Sequence, residues 1–105
     1  MVREIYDSER EEAVREGYTV LDVFGDHCGP CRYMEPFFEQ VSSELAYINF
    51  LKISCDRNPE TQKTYEVHAV PTLLFMKDGE VKARFVGALD ADGLKGKIAA
   101  LLYEM

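Results

Sequence analysis

The sequence predicts an α/β fold in which a mixed central sheet of four to five strands is flanked by helices on both faces. Apolar runs of strand length alternate with runs that repeat at helical spacing, in the order β-α-β-α-β-α-β-β-α. Residues 18–24 and 47–54 read as interior strands, because they are apolar over most of their length. The last two strands are joined by Asp78-Gly79, which is typical of a two-residue hairpin turn.

Length, charge and cysteine content limit the class of protein. A chain of 105 residues has the size of one domain, and we expect residues 1–105 to form a single one. Nineteen acidic and twelve basic residues give a net charge of −7, which disfavours nucleic acids and anionic membranes as partners. No run approaches the roughly 18 apolar residues of a membrane span, and an odd number of cysteines fits a reducing compartment. We therefore expect a cytoplasmic monomer.

The first two elements are short and charged. Residues 2–6 form a candidate edge strand. Ser8 and Glu11 have the spacing of a capping box, and Gly17 is a candidate stop for the helix that they begin. Little of this helix is apolar, so we expect it to lie on the surface.

The predicted central strand, residues 18–24, contains a carboxylate, Asp22. A carboxylate that is buried without a partner destabilises the fold strongly. We therefore expect Asp22 to be paired, largely protonated, or placed beside a water-filled site. The strand at residues 47–54 has a similarly unusual member, Lys52.

Residues 26–32, with the sequence Asp-His-Cys-Gly-Pro-Cys-Arg, lie between the central strand and a helical run at residues 33–46. Residues three apart on a helical turn have Cβ atoms about 5–6 Å apart, so Cys28 and Cys31 can form and break a disulfide with little backbone movement. The unpaired N–H groups at a helix N-terminus favour an anion there, and hence the thiolate of Cys28. Cys28 is therefore the candidate nucleophile.

The same cysteine spacing also occurs in zinc sites. Structural zinc usually takes four ligands, supplied as two separated pairs of Cys or His. The available groups contain no second pair; they are Cys28, Cys31, Cys55, His27 and His68. The sequence therefore favours a reversible disulfide over an inert structural one, and over a metal or cluster site that uses Cys28, Cys31 and His27.

The remaining elements are two helices and a hairpin. Asn58 and Pro59 are typical of a helix start, and this helix should run to about Glu66. A strand that begins with Val-Pro-Thr at residues 70–72 leads into the hairpin, and residues 80–86 return antiparallel. Gly87 ends the hairpin, and Asp90 or Asp92 caps the last helix. Two apolar helical stripes complete the predicted core, namely Met34, Phe37, Phe38, Val41 and Leu45, and Leu94, Ile98, Leu101 and Leu102.

Taken together, these motifs resemble the thioredoxin family over about residues 20–102. The residues that match are Asp22 to Arg32, Pro36, Lys52, Asp56, Asn58, Pro59, Val70-Pro71-Thr72-Leu73, Lys77-Asp78-Gly79 and Val86-Gly87-Ala88. Cys-Gly-Pro-Cys followed by a downstream Val-Pro-Thr is the most specific part. The resemblance implies the thioredoxin fold.

The resemblance also implies a protein disulfide reductase that cycles Cys28 and Cys31 between dithiol and disulfide. Cys28 would attack a substrate disulfide to form a mixed disulfide, and Cys31 would then attack Cys28 to release the reduced substrate. Asp22 matches the family's buried aspartate, which would accept the proton of Cys31, and Lys52 matches the lysine that would tune it. No metal and no cofactor is implied besides the redox-active disulfide.

Substrate contacts and partners follow from the same resemblance. Pro71 matches the family's cis-proline, which faces the active-site sulfurs, and the backbone of Val70 would pair with the main chain of the substrate. The candidate substrate-binding residues are His27, Gly29, Pro30, Val70, Pro71 and Gly87. The implied partners are disulfide-containing proteins and a thioredoxin reductase that donates electrons.

The sequence departs from the family at two aromatic positions. His27 stands where the family usually has a tryptophan before the first cysteine, and Phe24 replaces a second aromatic residue. A smaller, titratable ring beside the reactive sulfur affects target choice and reduction potential more than the chemistry. Outside the motifs, we expect Cys55 to be a small buried hydrophobic residue and His68 to be a solvated loop residue.

Three functions are compatible with the sequence. The first is a reductase, for which the value known for thioredoxin itself, about −270 mV, is carried over as the expected potential. The second is a more oxidising oxidase or isomerase on the same fold. The third is the metal-binding or cluster-binding module. The reduction potential of the Cys28/Cys31 pair separates the first two, and metal analysis separates the third.

Overall fold

The structure, a computed structural model, describes residues 1–103 and has its helices and strands in the predicted order. The strands are β1 (Val2–Glu4), β2 (Tyr18–Phe24), β3 (Asn49–Ser54), β4 (Thr72–Lys77) and β5 (Glu80–Val86). The helices are α1 (Asp7–Ala13), α2 (Gly29–Glu44), α3 (Pro59–Thr64) and α4 (Ala91–Tyr103). Within residues 1–103, no helix combines the length and the apolar character that a membrane crossing requires.

The strands form a five-stranded mixed sheet in the order β1-β3-β2-β4-β5. β3 pairs in parallel with β1 and β2, whereas β4 pairs antiparallel with β2 and β5. β2 therefore lies at the centre and β1 at an edge, as their sequences predicted. The predicted α/β class with a mixed sheet between helices is confirmed.

Each face of the sheet is covered by two helices. α2 and α4 cover one face, and the core beneath them consists of Val20, Met34, Phe38, Val41, Ile48, Phe50, Leu73, Phe75, Leu94, Ile98 and Leu101. The C-terminal ends of α1 and α3 contribute to the opposite core, which consists of Ile5, Val14, Leu21, Val23, Leu51, Ile53, Val67, Leu74 and Met76. The apolar stripes predicted for the two longest helices are confirmed, because every member is buried or partly buried against the first core.

The central strand carries a charged residue on the face that α2 covers. Val20 and Asp22 are two residues apart in β2 and therefore point to the same face of the sheet. Asp22 is aligned with Lys52 of β3 on one side and with Leu73 of β4 on the other. The two charged residues of the interior strands thus lie side by side, near the end of β2 that leads into α2.

The predicted start of α1 is wrong. The helix begins at Asp7 with Tyr6 as its N-cap residue, so Ser8 lies inside the first turn. The Tyr6 N–H donates to Glu9 Oε1 at 3.2 Å, and the Tyr6 carbonyl accepts the Glu9 N–H at 3.0 Å. Glu9, rather than Glu11, therefore supplies the reciprocal bond that the capping-box pattern requires.

The predicted end of α1 is also wrong, although its surface location is confirmed. The helix ends at Ala13 and has no buried residue. Gly17 adopts a φ of +80° in the turn before β2. There its N–H donates to Asp78 Oδ1 at 2.8 Å and its carbonyl accepts the Asp78 N–H at 2.9 Å. Gly17 therefore joins this turn to the β4–β5 hairpin instead of ending the helix.

The start of α3 is confirmed, but its cap is not the predicted side chain. Asn58 is the N-cap residue and Pro59 the first helical residue, and the helix ends at Thr64 rather than near Glu66. The Asn58 side chain turns away from the helix. It donates to the Ser54 carbonyl and accepts the Asp7 N–H, each at 2.8 Å.

Asp7, the first residue of α1, caps α3 instead. Its carboxylate accepts the N–H of Glu60 at 3.0 Å, the N–H of Thr61 at 2.9 Å and the Thr61 hydroxyl at 2.6 Å. Burial by itself would raise the pKa of Asp7. The bond from the Thr61 hydroxyl, the two N–H bonds and the charge of Arg10 outweigh it, so the pKa lies below its ordinary value of 3.8.

Replacing Asp7 by alanine should lower the free energy of unfolding by about 1–2 kcal/mol, the usual loss for a removed helix cap. Because the folded pKa is depressed, the stabilisation is present above pH 4 and is lost as the pH falls through the folded value. Urea denaturation at pH 7 and at pH 3 measures both effects. Glu11→Ala, on the exposed side of the same helix, is the matched control. Equal losses for the two variants at pH 7 would contradict the capping role.

The C-terminal elements agree with prediction, except that β4 begins at Thr72, after the Val70–Pro71 segment, rather than at Val70. Asp78 and Gly79 have φ values of +50° and +83°, as a tight hairpin turn requires. Of the two candidate caps for α4, Asp90 is the one that acts, since its Oδ1 accepts the Gly93 N–H at 2.9 Å. The antiparallel pairing of β4 and β5 places Gly87, just after β5, close to the beginning of β4.

Candidate active site

The two motif cysteines form a disulfide at the N-terminus of α2, with their Cα atoms 5.3 Å apart. Cys28 is the N-cap residue, Pro30 lies in the first turn, and Cys31 follows it. Both cysteines are buried, with exposed fractions of 8% and 6%. The predicted position of the two thiols, between a central strand and a helix, is confirmed.

Two polar backbone groups lie next to the Cys28 sulfur. The Cys31 N–H points at Cys28 Sγ at 3.2 Å. The Val70 carbonyl oxygen lies 3.8 Å from the same sulfur. An N–H donor at a helix N-terminus stabilises negative charge, so the Cys31 N–H favours a thiolate at Cys28 in the reduced protein.

Three chain segments converge on the disulfide. The Val70–Pro71 peptide bond is cis, as the resemblance implied. The Gly87 N–H donates to the Pro71 carbonyl at 2.8 Å, which ties the end of β5 to this segment. A Cβ at Gly25 would lie 2.9 Å from Val70 Cγ2 and 3.4 Å from the Cys28 Cβ. Glycine at position 25 therefore allows the segment before β4 to pack directly against the cysteines.

A cavity of about 140 Å³ lies on the Cys31 side of the disulfide. It has room for several water molecules, and it is lined by Asp22, Phe24, Gly25, Asp26, Cys31, Arg32, Glu35 and Lys52. Asp22 is 5% exposed, and in residues 1–103 its Oδ1 has no hydrogen-bond partner. Burial raises the pKa of Asp22 from 3.8 to about 7; the charge of Lys52 opposes this rise and the charge of Glu35 adds to it. Of the environments predicted for Asp22, the structure shows a position beside a cavity that can hold water, and the raised pKa favours the protonated carboxyl group there.

Lys52 pairs with a carboxylate that the sequence did not indicate. Its Nζ lies 3.4 Å from Glu35 Oε2 and 5.7 Å from the centre of the Phe24 ring. In the described part of the chain, no ion pair within 4 Å joins Lys52 to Asp22, so the expected partnership is corrected to an interaction at longer range. Glu35 follows Cys31 by four residues and therefore lies on the same side of α2, which is the sequence signal that could have identified it.

The loop between β2 and α2 is held by a second set of charges. The Asp26 carboxylate accepts the Ser54 hydroxyl at 2.9 Å and Arg57 Nε at 3.2 Å, and Arg57 also pairs with Glu4 at 3.1 Å. The Asp26 N–H donates to Asp56 Oδ2 at 2.7 Å. The bonds from Ser54 and then Arg57 lower the pKa of Asp26. This network joins the loop before Cys28 to β1 and to the start of α3, and no sequence pattern predicted it.

The candidate substrate-binding residues differ in exposure. His27, Gly29 and Pro30 are exposed beside Cys28 and Val70 is partly exposed, and these four residues form the rim of the active site, whereas Pro71 is buried. His68 is exposed, which confirms its expected place in a solvated loop. Within residues 1–103, no three side chains of His, Cys, Asp or Glu are grouped so that they could hold a metal ion.

The third cysteine is less buried than predicted. Cys55 is free and half-buried, and it packs against the core on the α1 and α3 side of the sheet. It lies directly after β3, where the chain enters a turn. Burial, and to a smaller extent the charge of Asp56, raises the pKa of the Cys55 thiol.

Comparisons with known proteins agree with this geometry. The sequence model of the Thioredoxin family matches residues 1–100. The thioredoxin of Chlamydia pneumoniae is 37% identical over 98 residues, which cover 93% of this chain and 96% of the relative. That of Listeria monocytogenes serovar 1/2a is 39% identical over 88 residues, covering 83% and 85%, and that of Rhodospirillum rubrum is 36% identical over 91 residues, covering 84% and 88%. The chain therefore belongs to the thioredoxin family and is a thiol-disulfide oxidoreductase.

Proposed function

We propose that Cys28 is the nucleophile of a protein disulfide reductase and that Cys31 is the resolving thiol. The observation that carries this assignment is the position of Cys28 at the N-cap of α2, with the Cys31 N–H 3.2 Å from its sulfur. In the reduced protein, a thiolate at this position would accept that N–H and interact with the positive end of the helix. Cys28 also borders the exposed rim, whereas Cys31 borders the cavity that contains Asp22.

The reaction consists of two thiol-disulfide exchanges. The Cys28 thiolate attacks one sulfur of the substrate disulfide, and the other substrate sulfur leaves as a thiolate. The Cys31 thiolate then attacks Cys28 Sγ, so that the bond to the substrate breaks and the second substrate thiolate leaves. Two electrons have then passed to the substrate, and the protein holds the Cys28–Cys31 disulfide.

Cys31 has to lose a proton before the second exchange, and Asp22 is the proposed acceptor. The two residues line the same cavity, which has room for water molecules between them. A carboxyl group with a pKa of about 7 is partly ionised at neutral pH, so it can both accept and return a proton. The positive charge of Lys52 favours the ionised form of Asp22, which is why we assign Lys52 a tuning role.

The substrate is proposed to lie across the rim next to Cys28. The backbone of Val70, whose carbonyl lies 3.8 Å from Cys28 Sγ, is the candidate partner for the main chain of the substrate. The exposed residues His27, Gly29 and Pro30 would contact the substrate on one side of this segment. On the other side of the segment, Pro71 and Gly87 would support the substrate, and the Gly87 N–H donates to the Pro71 carbonyl.

The proposed partners follow from the family. Thioredoxins act on disulfides and are reduced by a reductase, and they need no cofactor besides the redox-active disulfide. For this chain we propose a thioredoxin reductase as the electron donor. We also propose that residues 1–105 act as a single-domain cytoplasmic monomer without nucleic-acid or membrane partners, which the net charge of −7 and the three cysteines support.

The reduction potential of the Cys28/Cys31 pair tests the proposed direction of electron flow. Equilibration in glutathione and dithiothreitol buffers, followed by acid trapping and mass spectrometry, should give a value of about −270 mV. A value near or above about −180 mV, that of protein disulfide isomerase, would instead favour the oxidase or isomerase function. Turnover of a protein disulfide with NADPH and a thioredoxin reductase tests the electron donor separately.

A further inference from the structure

We propose that Glu35 is a positioning residue that holds the Lys52 ammonium group away from Asp22 and so sets the pH at which Asp22 ionises. This inference rests on the proposed role of Asp22 as proton acceptor in so far as it concerns the rate of the reaction. The positions of the three charged groups around one cavity support it.

Asp22 faces charged groups from every segment that borders its cavity. Besides the Cys31 thiol of α2, these groups are Asp26 in the loop after β2, Arg32 and Glu35 on α2, and Lys52 on β3. The residue aligned with Asp22 in β4 is Leu73, which is uncharged. Asp26 is already engaged by Ser54 and Arg57. Of the remaining groups, Lys52 and Glu35 are the two whose charges act on Asp22, whereas Arg32 does not shift its ionisation.

Lys52 has two carboxylates within the reach of its side chain. Strand register places it beside Asp22, yet its Nζ lies 3.4 Å from Glu35 Oε2, and the described residues contain no Lys52–Asp22 ion pair. The Glu35 side chain is 61% exposed, so pairing there leaves the carboxylate in contact with water. Pairing with Asp22 would require a buried carboxylate to ionise without its hydration. Glu35 therefore competes successfully for the ammonium group.

This competition affects Asp22 in two ways that act in the same direction. Glu35 draws the positive charge of Lys52 toward solvent, and its own negative charge disfavours a second carboxylate nearby. In agreement with the geometry, the charge of Glu35 raises the pKa of Asp22 and that of Lys52 lowers it. A carboxylate that is harder to ionise is also a stronger base, which favours proton transfer from Cys31.

The test is the titration of Asp22 in the oxidised protein, where Cys28 and Cys31 do not titrate. The chemical shift of the Asp22 side-chain carboxyl carbon can be followed by NMR as a function of pH, and its signal can be assigned with the Asp22→Asn variant. Glu35→Gln should move the titration midpoint of Asp22 down by about 0.5–1 pH unit, because Lys52 becomes free to approach it. Glu39→Gln, an equal charge change at an exposed position of the same helix, should leave the midpoint unchanged.

A second pair of variants tests whether Glu35 acts through Lys52. In a Lys52→Gln background, Glu35→Gln should move the midpoint by less than half as much as in the wild type. An unchanged or higher midpoint in Glu35→Gln overturns the inference, and so does a shift that persists in full without Lys52. All of these comparisons use the folded, disulfide-bonded chain, and retention of its NMR spectrum verifies folding of each variant.

The kinetic consequence separates this inference from the proposed function. Release of substrate from the mixed disulfide should become about two- to fivefold faster near pH 6 in Glu35→Gln, in line with the larger ionised fraction of Asp22. Above pH 8, where Asp22 is ionised in both proteins and is the weaker base in the variant, release should be equal or slightly slower. A shifted Asp22 titration with an unchanged release rate would overturn the proton-acceptor role of Asp22 alone. An unshifted titration would overturn the role of Glu35 alone.

Discussion

Replacing Cys28 by serine should abolish disulfide reduction, whereas replacing Cys31 by serine should leave the protein covalently attached to its substrate. The first variant lacks the thiolate that opens the substrate disulfide. The second can complete the first exchange, but it has no thiol next to Cys28 Sγ to release the mixed disulfide. Neither variant turns over, but Cys28→Ser fails at the first exchange and Cys31→Ser at the second.

Mass spectrometry under non-reducing conditions distinguishes the two variants. Cys31→Ser should gain the mass of one substrate chain, linked through Cys28, and a reductant should remove it. Cys28→Ser should gain no such mass. Cys55→Ser is the matched control, since Cys55 lies outside the disulfide and should leave turnover unchanged. An adduct on Cys31 rather than on Cys28 would show that the nucleophile is wrongly assigned.

Replacing Asp22 by asparagine should slow the second exchange and stabilise the fold at the same time. Loss of the proton acceptor should lower the rate of release from the mixed disulfide by about 10²-fold or less at neutral pH, because water can partly substitute. The first attack by Cys28 should be nearly unaffected. The stabilisation arises because a buried carboxyl group that resists ionisation is removed.

The stabilisation should depend on pH in a defined direction. The pKa of Asp22 is raised from 3.8 to about 7 in the folded protein, so between these values the unfolded chain releases a proton that the folded protein keeps. The contribution of Asp22 to the free energy of unfolding therefore falls from about pH 4 to pH 7 and levels off above it. Asp22→Asn lacks this decrease and should be more stable by about 2–4 kcal/mol at pH 8, with little difference at pH 4.

Urea denaturation of the oxidised proteins at pH 4, 6 and 8 measures this difference. Asp92→Asn makes the same chemical change at an exposed position of α4 and should have no comparable effect. A constant stability difference across the pH range would mean that Asp22 does not titrate as proposed. Release kinetics that do not vary from pH 6 to pH 9 in the wild type would leave Asp22 with a structural role only.

The elements and the disulfide could be predicted from the sequence because each depends on residues close together in the chain. Residues 18–24 and 80–86 were delimited correctly, since apolar runs and the Asp78-Gly79 turn determine strand ends locally. The Cys28/Cys31 pair was identified because a three-residue spacing suffices for a disulfide at a helix start. The resemblance then supplied the relation of these cysteines to Asp22 and Pro71.

Side-chain partners from distant segments could not be predicted in the same way. The carboxylate of Asp7 caps α3 by accepting the N–H of Thr61, 54 residues later in the chain, and Arg57 binds Asp26 across 31 residues. Lys52 was expected to interact with Asp22, its neighbour in the sheet, but its ammonium group forms an ion pair with Glu35. Such contacts depend on how helices are oriented over the sheet and on the hydration of each carboxylate, which residue patterns do not encode.

The half-buried Cys55 affects how the redox state of this protein can be assayed. Alkylating reagents react with thiolates, and the raised pKa of Cys55 keeps that residue as a thiol at neutral pH. A brief maleimide treatment of the reduced chain should therefore label Cys28 well before Cys55, and the oxidised chain should remain nearly unlabelled. The mass of the labelled product then reports the fraction of reduced active sites without removal of the third cysteine.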